Sequence, residues 1–91
     1  MHYSPGIPLR LNAKKIKINE AYLLIKDIKK IKPNYFFLSK KGNLKEAAKN
    51  LYIILRNIKK SKYKSIAVAK IPNVGLGKTI NDRLNRASKF K

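Results

Sequence analysis

The sequence predicts a small α/β layer structure with a mostly parallel sheet and the element order β-β-β-α-β-α. Three observations carry that expectation. Ser65-Ile66-Ala67-Val68-Ala69 is a compact run of β-branched and small residues, the composition of a central parallel strand buried on both faces. Just before it, Leu44, Ala47, Ala48, Leu51, Leu55 and Ile58 follow the i, i+3, i+4, i+7 spacing of an amphipathic helix. Just after it, Ile80, Leu84 and Ala87 form a second helical stripe. Strands alternating with helices imply a layered α/β fold, with right-handed β-α-β crossovers.

The elements follow in order. Residues 1–8 hold Pro5, Gly6 and Pro8 without a periodic pattern, and read as an extended, linker-like arm. Leu9-Arg10-Leu11-Asn12 alternates apolar and polar residues as a short strand does. Ala21-Tyr22-Leu23-Leu24-Ile25 is a continuous apolar run of strand length; Glu20, Ala21 and the leucines are also good helix formers, so both forms stay open. Tyr35-Phe36-Phe37-Leu38 follows Pro33-Asn34 and stops at Ser39-Lys40-Lys41-Gly42, which predicts a strand. Asn43 caps the first helix, with Glu46 completing a capping-box-like pair, and the helix runs to about Lys60. The last helix starts near Lys78, after the loop Pro72-Asn73-Val74-Gly75-Leu76-Gly77.

Composition narrows the functional classes. With 91 residues and 44% hydrophobic content, the chain is one small ordered domain, able to bury roughly 60–65% of its unfolded surface. It has no cysteine, which excludes disulfides, zinc ribbons and thiol catalysis. His2 is its one histidine, a poor basis for a metal site. No apolar run approaches the roughly 20 residues of a membrane span, and the N-terminal residues lack a signal-peptide pattern; a soluble cytoplasmic protein without membrane contact is expected. The net charge of +19 comes mostly from lysine, 19 of 23 basic residues. A polyanion such as RNA would account for it. So would AT-rich coding, which favours Lys, Asn, Ile and Tyr, whereas phosphate grips more often use arginine forks.

The motifs supply no catalytic constellation. Gly77-Lys78-Thr79 is the second half of a P-loop, but Pro72 stands where the first glycine belongs and has no N–H to donate. A structural turn that lets the helix pack closely on its strand is the expected role. A weaker alternative is an anion-binding loop at Gly75, Gly77 and Lys78, since a strand, a glycine-containing loop and a helix start form one wherever they occur. Gly75 and Gly77 lack the third glycine of a dinucleotide fingerprint. The acids Glu20, Asp27, Glu46 and Asp82 fall in separate segments, so no carboxylate pair for acid–base work is visible. The aromatics Tyr22, Tyr35, Phe36, Phe37, Tyr52 and Tyr63 are expected in the core rather than on a base-stacking platform.

The same residues resemble a known family. His2-Tyr3-Ser4-Pro5 resembles the His-Tyr-x-Pro motif of the interdomain linker in two-domain threonylcarbamoyl-AMP synthases. Pro8-Leu9-Arg10-Leu11-Asn12 and Asn19-Glu20-Ala21-Tyr22-Leu23-Leu24 look like the opening strands of their C-terminal domain. Gly42-Asn43-Leu44-Lys45-Glu46-Ala47-Ala48-Lys49-Asn50-Leu51-Tyr52 is similar to the family's Gly-x-Leu-x-Glu-Ala-Ala-x-Asn-Leu-Phe segment. Residues 66–72 and 75–87 resemble its closing strand, loop and helix. The resemblance implies a Rossmann-like accessory domain over 9–91, preceded by a linker arm at 1–8, with the catalytic domain absent. It also implies a YrdC-like catalytic partner that uses ATP, magnesium, threonine and bicarbonate, with no cofactor in this chain and tRNA as a further candidate partner. His2, Tyr3 and Pro5 would then belong to a lid over that partner's active site. A stand-alone basic RNA-binding module is the alternative.

Overall fold

A computed structural model describes residues 6–26 and 28–89. The elements are β1 (Leu9–Arg10), β2 (Glu20–Leu24), β3 (Tyr35–Phe37), α1 (Leu44–Lys60), β4 (Ser65–Val68) and α2 (Leu76–Lys89), the expected order. All three strand pairings are parallel, in the spatial order β1-β4-β2-β3. The last strand in sequence therefore lies between the first two. Residues 21–24, open to both forms in sequence, are a strand because parallel neighbours on both sides take up their backbone groups: Tyr22 is opposite both Ala67 and Tyr35.

The pleat sorts the side chains. Leu9, Ile66, Ala21, Leu23 and Val68 point to one face and join Leu51, Leu55 and Ile58 of α1 and Ile80 and Leu84 of α2 in the core. The two helices also pack against each other on this face. Arg10, Glu20, Tyr22, Tyr35 and Ser65 occupy the other face by the same alternation. Right-handed crossovers require this arrangement. The moves from β1 to β2 and from β2 to β3 run one way across the sheet and the move from β3 to β4 runs back, so α1 lies opposite the two loops.

α1 starts as its sequence predicts. The Asn43 side chain accepts from the Glu46 N–H at 3.0 Å, which satisfies one orphan amide of the first turn. The other half of the capping box is supplied differently: the Asn43 N–H donates to Ser39 Oγ at 3.0 Å. Asn50 donates its Nδ2 to the Leu38 carbonyl at 3.0 Å and ties α1 to the end of β3. β1 is shorter than its alternation suggests: Asn12 takes a left-handed φ of 53°, which breaks the regular ladder, although the Ala13 N–H still donates to the Val68 carbonyl at 2.8 Å; asparagine tolerates that region better than most residues.

The expected core placement of the aromatics is met in part. Phe36 stacks edge-on against Tyr63 with ring centroids 6.0 Å apart, beside the helical core. Tyr22 and Tyr35 form a second edge-on pair at 5.1 Å on the other face, half-buried because loops rather than a helix cross that side. The described part of the arm is joined to the domain: Ile7 packs against the core, and the Pro8 carbonyl accepts from the Ile66 N–H at 2.8 Å.

The β1–β2 loop is fastened through Glu20, which is 1% exposed. Its carboxylate accepts from Arg10 Nε at 3.0 Å and Nη2 at 2.7 Å, the Lys17 N–H at 2.9 Å and Ser65 Oγ at 2.9 Å. Arg10 also donates to the Lys15 carbonyl at 2.8 Å. The Arg10 hydrogen bonds, opposed by desolvation and helped by Lys17, Ser65 and the Arg10 charge, lower the Glu20 carboxyl to about 2. The same contact raises the Arg10 guanidinium. One carboxylate thus joins β1, the following loop, β2 and β4.

Candidate functional site

The sheet order decides where a ligand could enter. In an open α/β sheet, ligands bind outside the carboxyl ends of the strands where neighbouring strands send their connections to opposite faces. After β1 and β2 the chain crosses the loop-bearing face, whereas after β4 it turns to the helical face. β4 therefore has such a crevice on each side.

Both crevices are present. Between β1 and β4, a cavity of about 520 Å³ is lined by Asn12, Lys70, Asn73, Lys78, Asn81 and Asn85, among others. Between β4 and β2, a cavity of about 380 Å³ is lined by Leu24, Ile25, Lys26, Ile28, Leu44 and Pro72, among others. Ala69 and Lys70, directly after β4, belong to both. The first half sets four asparagines and two lysines beside the apolar Leu11, Val68 and Ile71, whereas the second is mainly apolar.

The loop between β4 and α2 is built around Gly77. A Cβ at Gly77 would overlap the Pro72 carbonyl oxygen and come within 3.1 Å of the Pro72 carbonyl carbon. Glycine is required here for close approach of backbone to backbone, which is the structural turn expected from the sequence. Gly75 supplies the left-handed φ of 54°. Asn81 holds the loop from the helix side, donating Nδ2 to the Ile71 carbonyl at 2.9 Å and to Asn73 Oδ1 at 3.3 Å.

The three residues of the sequence-derived anion loop stand together at the start of α2, which begins at Leu76, two residues earlier than expected. The Gly77 N–H donates to the Val74 carbonyl at 2.9 Å and the Lys78 N–H to the Gly75 carbonyl at 3.1 Å. The turn that opens the helix early thus uses those two amides, and what Lys78 offers the crevice is its side chain. His2, Tyr3 and Pro5 lie outside the described residues. Asp27 does too. Of the other acids, Asp82 reaches Arg86 at 3.4 Å, Glu46 is in the first turn of α1 and Glu20 is held by Arg10. Among the described residues no three of His, Cys, Asp and Glu gather as a metal site would need, and no helix is long and apolar enough to cross a membrane.

The threonylcarbamoyl-AMP synthase C-terminal domain matches residues 1–89. The chain belongs to that family. The match spans every element of the fold and the arm before it. No curated protein and no solved structure matches the chain.

Within this family domain, the segments that carried the resemblance have structural duties. Residues 42–52 hold the cap and first turns of α1, and residues 75–87 hold the glycine turn and the buried stripe of α2, Ile80, Leu84 and Ala87. Two features escaped the sequence. Glu20 and Ser65 are 45 residues apart, and only the parallel register between β2 and β4 makes them neighbours. Lys70 has no distinguishing motif; its position after a strand flanked on both sides by oppositely turning neighbours singles it out. The signal that could have found it is the strand order.

Proposed function

We propose that this chain is the accessory module of a threonylcarbamoyl-AMP synthase, acting with a YrdC-like catalytic domain in the formation of threonylcarbamoyladenosine in tRNA. The observation that carries this is the family match over residues 1–89, which includes the arm with His2, Tyr3 and Pro5. ATP, magnesium, threonine and bicarbonate belong to the catalytic partner in this scheme, and a cytoplasmic location goes with it. Residues 1–8 act as the linker lid and 9–91 as the accessory domain.

The position of Gly6 bears on how the two would meet. A Cβ at Gly6 would lie 2.8 Å from Cε of Lys59, in the last turn of α1. α1 returns antiparallel to the strands, so the arm joins the domain at the amino ends of the strands, across the sheet from the β4 crevices.

Adding the chain to its separately produced catalytic domain should change the rate of ATP-dependent pyrophosphate release in the presence of threonine and bicarbonate. A chain carrying H2A and Y3A together should lose that effect. If the unaltered chain leaves the rate where it was, the accessory role is wrong.

Net charge favours a second reading, RNA binding. The chain carries +19, and ion pairs among the described residues engage Arg10 and Arg86 but no lysine. Affinity for tRNA should then fall with a log–log salt slope of about −0.7 to −0.9 per phosphate contacted. No detectable binding at about 0.15 M salt, where the Debye length is near 8 Å, excludes RNA as a partner.

A further inference from the structure

The two crevices beside β4 share Lys70 and differ in chemistry, and that combination describes a ligand. On the β1 side, Lys70 and Lys78 face a cavity whose other polar groups are mostly neutral amides. Neither lysine has a carboxylate partner among the described residues. The one acid in the cavity wall, Asp82, reaches Arg86, which offsets its repulsion of an anion. Asn81, fixed by its bonds to Ile71 and Asn73, keeps its Oδ1 for a hydroxyl, and Asn73 keeps its amide N–H groups. On the β2 side Leu24, Ile25, Ile28, Leu44 and Pro72 make the apolar part of the wall, with Lys26 beside them, and Ile28 is 39% exposed. An exposed isoleucine beside an apolar hollow offers a surface for a flat, weakly polar body.

We propose that this two-part crevice binds a nucleoside monophosphate, its phosphate held by Lys70 and Lys78, its sugar hydroxyls by the asparagines and its base against Ile28, Leu44 and Pro72. The donors are side chains, since the Gly77 and Lys78 amides are used within the turn. The location agrees with the general rule for open α/β sheets. The site does not depend on docking to a catalytic domain, and binding can be measured on the 91-residue chain alone.

The probes are AMP, adenosine and inorganic phosphate, titrated while backbone amide resonances are followed by NMR. AMP should give saturable shifts on both sides of β4, in residues 24–28 and 68–78, and bind at least about tenfold more tightly than phosphate or adenosine, a difference of about 1.4 kcal/mol. Lys70→Ala and Lys78→Ala should each weaken AMP about tenfold through loss of a charge-assisted bond, while Lys62→Ala, on the segment after α1, should leave it unchanged. Ile28→Ser should weaken AMP but not phosphate. If phosphate binds as tightly as AMP, or if Lys62→Ala costs as much as Lys70→Ala, the ligand is merely attracted by diffuse positive charge and the site is refuted. Absence of saturable shifts with AMP refutes it equally.

Discussion

Gly77→Ala should be the most damaging single-methyl change in the chain. The added Cβ meets the Pro72 carbonyl group, with its carbon at 3.1 Å and its oxygen closer still. Both are main-chain atoms, so no side-chain rotation relieves the overlap. Either the loop after β4 moves or α2 lifts from the sheet, and α2 contributes Ile80, Leu84 and Ala87 to the core. Overpacking of a rigid site costs about 1–3 kcal/mol and occasionally more; with backbone on both sides the upper end is expected, about 3 kcal/mol. A small domain with about 5–15 kcal/mol to lose should show this as a clear drop in the urea midpoint at unchanged slope. Gly75→Ala tests the interpretation. A Cβ there meets nothing within 4 Å, so its cost is only that of the left-handed φ, about 1–2 kcal/mol. Equal losses in the two variants would show that crowding against Pro72 is not the cause.

The second large effect concerns Glu20. Glu20→Gln keeps the shape but removes the charge that Arg10, Lys17 and Ser65 converge on. It also brings an amide NH₂ toward groups that all donate. A loss of about 2–3 kcal/mol at pH 7 is expected for leaving such a buried group badly matched. Its pH dependence has a definite sign. The folded carboxyl lies near 2, below the unfolded value of about 4.3, so its stabilising contribution is complete above the unfolded value. That contribution is lost as pH falls towards 2. The wild-type chain and Glu20→Gln should therefore differ most at neutral pH and converge in acid. Unfolding curves that remain parallel from pH 7 down to about 2 would contradict the assignment of the depressed carboxyl to this residue.

Glycine and capping chemistry made much of the fold legible in the sequence, because those signals act over a few residues. Asn43 and Glu46 marked the start of α1, and the apolar stripe through Leu51, Leu55 and Ile58 gave its buried face. Pro72 in place of a glycine told against a P-loop, and the close Pro72–Gly77 contact accords with the structural turn. The order of the strands was not legible. The β-branched and small residues of 65–69 marked β4 as a central strand, but nothing local says that its neighbours are β1 and β2, since that choice is made by pairing across more than 40 residues. Everything that depends on that order was hidden with it: the Glu20–Ser65 bond, the two crevices and the shared position of Lys70. The asparagines of the crevice were hidden for another reason, as Asn73 and Asn81 look like ordinary loop and helix-surface residues until the fold joins them.

The strand made last holds the middle of the sheet. β1 and β2 do not touch directly; each pairs with β4. During synthesis residues 9–60 can therefore form a helix and the β2–β3 pair, but they cannot close the core until residues 65–68 emerge from the ribosome. Leu9, Ala21 and Leu23 remain uncovered for that interval, and chain contacts this distant in sequence form slowly. The nascent domain is consequently exposed to aggregation until β4 is made, and a stop codon between β1 and β4 would leave β1 with no strand to pair with.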